Sequence, residues 1–173
     1  MPDNPNVEAV LLAIDAGLRE TGWAIFHGGH PVTTGVIAMT TSRLVDANTK
    51  VGHLVQCLDA LAQKWRPGVV VYSQPSGIHW LLPALELLDT ALAKWSGRRN
   101  LAVYAYTAQE VRAAIAGHPN IRSEELTFAI MSKLGLVGQA KSTHEWEALA
   151  VGHYHASRVG AALVGAPGAM NRC

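Results

Sequence analysis

The chain has little cysteine and no long hydrophobic run. Cys57 and Cys173 are its two cysteines, and no Cys-x-x-Cys spacing occurs, which argues against a disulfide framework and a structural zinc site. No apolar run approaches the roughly 18 residues that cross a bilayer. The first residues, MPDNPNVEA, lack the charged and apolar regions of a signal peptide. We therefore expect a cytosolic (cytoplasmic) protein without membrane contact.

Basic and acidic residues are also nearly balanced in number. The formal net charge is +1, so the overall charge does not indicate a nucleic-acid partner. Its distribution is more informative, because residues 94–141 contain seven lysines and arginines against three acidic residues. This asymmetry allows one basic face on an otherwise nearly neutral protein. Exposed solvating charge is the alternative for each candidate phosphate contact in this segment, namely Arg98, Arg99, Arg112 and Arg122.

Length and composition predict one domain. With 173 residues and 49% hydrophobic residues, the chain is long enough to bury one sizeable core. We expect a polar lead-in over residues 1–6, a single domain over residues 7–159, and a loosely ordered, Gly/Ala-rich tail over residues 160–173. No internal repeat or linker is visible.

The order of hydrophobic patterns predicts a mixed sheet. Three apolar segments with short connections, at residues 7–14, 22–27 and 31–39, predict an antiparallel meander, with a hairpin at Gly28-Gly29. Helical spacing at 48–65 and 82–95 separates two further strands, at 69–72 and 101–106. Crossovers of this length make the later strands parallel to the first. Three more helices follow: one capped by Thr107, one capped by Ser123 that ends near residue 134, and one over 143–159. The predicted fold is α/β, with five strands flanked by helices.

Chemistry-bearing residues are expected at one edge of this sheet. Asp15 ends a buried aliphatic strand, where a carboxylate is costly unless it is paired, hydrogen-bonded or bound to a metal. Ser73 and Gln74 follow the fourth strand. His144 and Glu147 are three residues apart on the last helix, so they share a face. Convergent acidic and imidazole ligands of this kind serve two-metal phosphodiester hydrolysis.

Four motifs occur in an order that points to a known family. They are LLAIDAGLRETGWAIF, VVVYSQPSG, YTAQEVRAAIAGHPNIRSEELTFAIMSKLGL and HEWEALAVGHYHA, and they extend over about residues 7–157. With them the chain resembles the RuvC family of Holliday-junction resolvases, in the ribonuclease-H-like superfamily. The resemblance implies a homodimeric endonuclease of DNA recombination and repair, which cuts four-way DNA junctions with Mg²⁺ or Mn²⁺. It also implies that Asp15, His144 and Glu147 are metal ligands.

One family position departs from the pattern. The family has Glu at the end of the fourth strand, where this chain has Ser73 followed by Gln74. We favour the register in which Ser73 replaces the Glu and leave open the register in which Gln74 does. Either replacement removes an anionic oxygen ligand from a hard cation. We therefore expect an active-site variant, engineered or natural, with weakened cleavage. The alternatives are a junction-binding protein without cleavage and, less favoured because nothing in the chain repeats, an actin-type ATPase domain.

Further DNA contacts and a dimer surface are also expected. Arg19, four residues after Asp15, is a candidate for contact with the scissile phosphate. The family places an aromatic wedge near Trp80, and a base–aromatic stack is worth about 1–3 kcal/mol. A core or dimer contact is the alternative for Trp80. The helix predicted over 82–95 is apolar on more than one face, which favours a homodimer interface over burial within the monomer.

Overall fold

A five-stranded mixed sheet forms the centre of the protein. The computed structural model describes residues 9–39, 44–74 and 82–164. The strands are β1 (Leu11–Asp15), β2 (Glu20–His27), β3 (His30–Ala38), β4 (Val69–Ser73) and β5 (Ala102–Tyr106). Their order across the sheet is β3-β2-β1-β4-β5, with β1 to β3 antiparallel and with β4 and β5 parallel to β1. The predicted α/β fold class and the predicted strand directions are confirmed.

Helices cover both faces of the sheet. They are α1 (Ala47–Trp65), α2 (Leu82–Arg98), α3 (Ala108–Ala116), α4 (Ser123–Leu134) and α5 (Thr143–Val164). Because side chains alternate along a strand, Leu12 and Ile14 of β1 pack in the core under α1 and α2, whereas Leu11 and Ala13 pack against α3 to α5. The aliphatic run before Asp15 is therefore buried on both faces, as its sequence predicts.

The N-cap predicted for α3 is observed, whereas the N-cap predicted for α4 is not. Thr107 forms the predicted capping box, since its hydroxyl accepts from the Glu110 amide and its own amide donates to the Glu110 carboxylate. The prediction that Ser123 caps α4 is wrong: Arg122 is the N-cap, and its amide donates to Glu125 at 2.9 Å. Ser123 is instead the first helical residue, which leaves its hydroxyl available for a contact across the cleft described below.

Several element ends lie away from their predicted positions. β1 begins at Leu11 rather than at residue 7. α2 continues through Gly97 to Arg98, and α5 continues through Gly160 to Val164 rather than ending at residue 159. Neither glycine adopts a positive φ, so neither acts as a helix-terminating residue. Within the described ranges no helix is both long and apolar enough to span a membrane.

The start of α5 lies unusually close to the sheet. A Cβ atom on Gly22 of β2 would lie 2.0 Å from the carbonyl oxygen of His144 and 2.7 Å from the amide nitrogen of Glu145. Only a glycine allows the backbone of α5 to approach β2 this closely. Because β1 and β4 are parallel and end at this same edge, the approach brings the first turn of α5 to the carboxyl ends of both strands.

Candidate active site

An open cleft lies where β1, β4 and α5 meet. Its volume is about 660 Å³. It gathers residues that lie far apart in the sequence, as expected for the carboxyl edge of a parallel strand pair next to a helix N-terminus. The polar and charged residues that line it are Asp15, Arg19, Ser73, Gln74, Arg112, Ser123, Thr143, His144 and Glu147.

Asp15 and His144 form a direct pair in this cleft. Nδ1 of His144 lies 2.7 Å from Oδ2 of Asp15, and the two side chains are 33% and 17% exposed. The hydrogen bond that the ring donates to the Asp15 carboxylate raises the pKa of the His144 imidazole above its ordinary value, against the opposing effect of burial. Asp15 thus fixes the orientation of the ring and favours its protonated form.

Ser73 lies beside Asp15 in the sheet. The parallel register of β1 and β4 pairs the Cα atoms of these two residues, and Ser73 is 6% exposed. Gln74 is exposed, and its backbone amide donates to the backbone carbonyl oxygen of Tyr106 at 2.8 Å. Both residues line the cleft, but Ser73 is the one in register with Asp15. This geometry supports the register in which Ser73 occupies the position of the missing carboxylate.

Glu147 reaches the cleft but is held by neighbours from α3 and α4. Its Oε1 atom accepts from Nη2 of Arg112 at 2.8 Å and from the hydroxyl of Ser123 at 3.3 Å. Burial raises the pKa of the Glu147 carboxyl, and the hydrogen bond from Arg112 opposes part of that shift. The contact with Arg112 compensates the charge of a carboxylate that is 12% exposed.

Three side chains of the cleft are of the types that bind divalent cations. Carboxylate oxygens and an imidazole nitrogen are suitable ligands, and Asp15, His144 and Glu147 supply them from one cleft. Ser73, beside Asp15, offers only a neutral hydroxyl. As the side chains lie, no three acidic, histidine or cysteine residues of the described ranges are grouped closely enough to share an ion. The Oε1 atom of Glu147 is bonded to Arg112 and Ser123, whereas Asp15 and His144 contact each other.

The arginines with predicted phosphate contacts are separated by the fold. Arg19 is exposed and lines the cleft, and the exposed Arg122 lies next to Ser123 at the start of α4. Arg112 lines the cleft but is bonded to Glu147. Arg98 and Arg99 lie at the end of α2, which leads back to the start of β5 and therefore to the opposite end of the sheet. Arg99 is paired there with Asp59 at 2.8 Å. Trp80 lies outside the described residues.

Sequence reasoning missed a polar network that fixes the start of α5. Glu145 accepts from the hydroxyl of Thr34 at 2.8 Å and from the amide of Ser142 at 2.8 Å. Nζ of Lys141 donates to the Thr34 hydroxyl at 2.9 Å. The capping-box spacing of Ser142 and Glu145 was visible in the sequence. The partner on β3 was not, because 111 residues separate it from Glu145.

Comparison with known proteins identifies the family of this chain. The family model "Crossover junction endodeoxyribonuclease RuvC" matches residues 11–155. The RuvC of Nocardia farcinica is 26% identical over 154 residues, covering 86% of this chain and 81% of that protein. The RuvC of Frankia casuarinae is 28% identical over 175 residues, covering 94% and 99%. Among solved structures, T. thermophilus RuvC in complex with Holliday junction substrate shares the fold, with a TM-score of 0.73, 24% identity and coverage of 88% and 96%. The chain belongs to the RuvC family of crossover junction endodeoxyribonucleases.

Proposed function

We propose that this protein is a structure-selective endonuclease that resolves four-way DNA junctions by metal-dependent phosphodiester hydrolysis, with cleavage weakened by Ser73. The observation that carries the proposal is the convergence of Asp15, His144 and Glu147 in one cleft at the carboxyl ends of β1 and β4. Membership of the family supports the same reaction class. The fold shared with a RuvC bound to Holliday junction substrate supports the same kind of DNA partner.

The cleft residues have distinct roles in this proposal. Asp15, His144 and Glu147 would hold Mg²⁺ or Mn²⁺, with the Ser73 hydroxyl as a weaker donor. A divalent cation, when bound, supplies an activated water and stabilises charge on the phosphate. Asp15 holds the imidazole of His144 at Nδ1, which would leave Nε2 as the nitrogen atom available to the cation.

We also propose which residues contact DNA and how the protein assembles. Arg19 and Arg122 would contact phosphates near the cleft, which makes binding dependent on salt without reading the DNA sequence. Arg98 and Arg99 would contact DNA only beyond the cleft, and Trp80 would act as the wedge at the junction. Two symmetric cuts require two active sites, so we propose a two-fold homodimer. We also place the protein in the cytosol.

One observation favours a second candidate function, junction binding without cleavage. Ser73 occupies the position beside Asp15 where an anionic ligand is expected, so the cation site is short of one carboxylate. A protein with this cleft could keep its preference for junctions and lose hydrolysis. The two candidates differ in whether Mn²⁺ produces cut strands.

A comparison of DNA substrates tests both candidates. A labelled synthetic four-way junction and a linear duplex with the same arm sequences are incubated with the protein, in Mn²⁺ or in EDTA. We expect tighter binding of the junction and slow, Mn²⁺-dependent cutting that Asp15→Asn abolishes. Tight junction binding with no cutting in Mn²⁺ supports the second candidate. Equal affinity for junction and duplex contradicts both.

A further inference from the structure

The carboxylate of Glu147 already has a cationic partner. It lies one turn after His144 on α5, yet its Oε1 atom contacts the Arg112 guanidinium at 2.8 Å. The pair is well shielded, with side-chain exposures of 24% for Arg112 and 12% for Glu147. A cation that uses Glu147 as a ligand must therefore compete with a guanidinium for the same oxygen atoms.

Arg112 is placed so that a ligand in the cleft can reach it. Its Nη1 atom donates to the carbonyl oxygen of Ile121 at 3.0 Å, which anchors one side of the guanidinium to the α3–α4 connection. Its side chain also lines the cleft. Its Nε atom is buried and has no hydrogen-bond partner within the described part of the chain. A guanidinium binds phosphate and carboxylate through the same planar set of donors, so a DNA phosphate in the cleft is a direct competitor of Glu147.

We propose that Arg112 is a positioning residue that couples DNA binding to cation binding. A phosphate that enters the cleft takes the guanidinium from Glu147, and the released carboxylate completes the cation site with Asp15 and His144. Without DNA, the ion pair keeps the affinity for the cation low. This coupling rests on the nuclease function proposed above. In it, the Arg112–Glu147 ion pair controls whether the metal site is complete.

Linkage makes the coupling measurable from either ligand. If the junction raises the affinity for Mn²⁺ by some factor, Mn²⁺ raises the affinity for the junction by the same factor. A static ion pair that only joins α3 and α5 predicts no such coupling. The two cases therefore differ in equilibrium binding, without reference to the rate of cleavage.

The first experiment measures Mn²⁺ binding without DNA, from the electron paramagnetic resonance signal of free Mn²⁺. We expect Arg112→Gln to bind Mn²⁺ several-fold more tightly than the wild type, because Glu147 is released. Arg19→Gln is the matched control, since it removes one positive charge from the same cleft without touching Glu147. The gain should vanish when Arg112→Gln is made in a Glu147→Gln background. An equal gain in that background, or in Arg19→Gln, contradicts the proposal.

The second experiment measures junction affinity by fluorescence anisotropy, in Mn²⁺ and in EDTA. The probe is a four-way junction with phosphorothioate linkages at its centre, which resist hydrolysis. We expect Mn²⁺ to raise the affinity of the wild type about tenfold, within the usual range for coupled sites. The effect should fall below about twofold in Arg112→Gln and in Glu147→Gln. Equal effects in the wild type and both variants contradict the proposal.

Two features keep the result interpretable. Glu147→Gln removes the charge while keeping the size of the side chain, so it reports on the pair even if Arg112→Gln does not fold. If the wild type shows no preference for junctions, the proposed function is contradicted. The Mn²⁺ experiment without DNA still measures how the Arg112–Glu147 pair affects the affinity for the cation. Unchanged Mn²⁺ affinity in a folded Arg112→Gln variant contradicts the coupling alone.

Discussion

Gly22 provides a direct test of how the fold positions the cleft. In Gly22→Ala the new Cβ atom would lie 2.0 Å from the carbonyl oxygen of His144 and 2.2 Å from its carbonyl carbon, whereas ordinary contacts lie at 3.4–4 Å. Relief therefore requires a relative shift of more than 1 Å between β2 and the first turn of α5, roughly the difference between these distances. No rotation of a side chain can provide it, because the contacted atoms belong to the backbone.

The expected cost follows from that overlap. Overpacking of a core costs about 1–3 kcal/mol, and a clash with backbone at a buried position belongs at the upper end, about 3 kcal/mol. The shift would also move His144 and Glu147 away from β1. A displacement of this size in a catalytic site can cost about 100-fold in rate. We therefore expect losses of both stability and cleavage.

Urea denaturation followed by circular dichroism measures the free energy of unfolding. The matched control is Gly52→Ala, because Gly52 lies in α1 and its added Cβ atom would meet nothing within 4 Å. That variant should gain roughly 0.5–1 kcal/mol from helix propensity. A free energy of unfolding for Gly22→Ala within about 0.5 kcal/mol of the wild-type value would contradict the close approach of α5 to β2, since such a change is typical of a surface substitution.

Three further substitutions test separate parts of the structure. Asp15→Asn should lower the pKa of His144, which is measured by NMR titration in metal-free buffer. An unchanged pKa would contradict the pairing of Asp15 with His144. The pKa of His144 is raised in the folded state, so this pair stabilises the protein below about pH 6.5 and the gain is lost as the pH rises through the folded pKa. Thr107→Ala should cost about 1 kcal/mol through loss of the capping box, while Thr107→Ser should cost much less. Leu149→Ala, at a position with 0% exposure, should cost about 2–5 kcal/mol in urea denaturation, and a cost below 1 kcal/mol would place Leu149 outside the core.

The sheet could be predicted from the sequence because its signals are local. The aliphatic run that ends at Asp15 is buried on both faces, and the Gly28-Gly29 hairpin and the helical crossovers fix the strand directions. Once the directions are known, the carboxyl ends of β1 and β4 must share an edge. The spacing of His144 and Glu147 placed both on one helical face, and both line the cleft.

The contacts of the cleft could not be predicted in the same way. Arg112 looked like an exposed phosphate contact, but it is paired with Glu147, 35 residues away in the sequence. Whether an arginine faces solvent or a carboxylate depends on how α3 and α5 pack, which no local pattern reports. The predicted cap at Ser123 was wrong for a related reason, since Glu125 satisfies the amide of Arg122 and Ser123 turns toward Glu147.

Ser73 lies beside Asp15 at the edge of the sheet that forms the cleft. We propose that this cleft is a junction-cutting metal site in which Ser73, the neighbour of Asp15, stands where a carboxylate is expected. The neighbouring Gln74 offers a matched control, because it also lines the cleft but is not in register with Asp15. A carboxylate restored at the two positions should therefore have different effects.

The most direct measurement is the rate of Mn²⁺-dependent cleavage of a four-way junction by Ser73→Glu, relative to the wild type and to Gln74→Glu. We predict that Ser73→Glu cuts about tenfold faster or more, since even outer-shell partners of metal ligands are worth 10–100-fold. Gln74→Glu should remain near the wild-type rate. No gain from Ser73→Glu, or a gain from Gln74→Glu alone, would contradict the account.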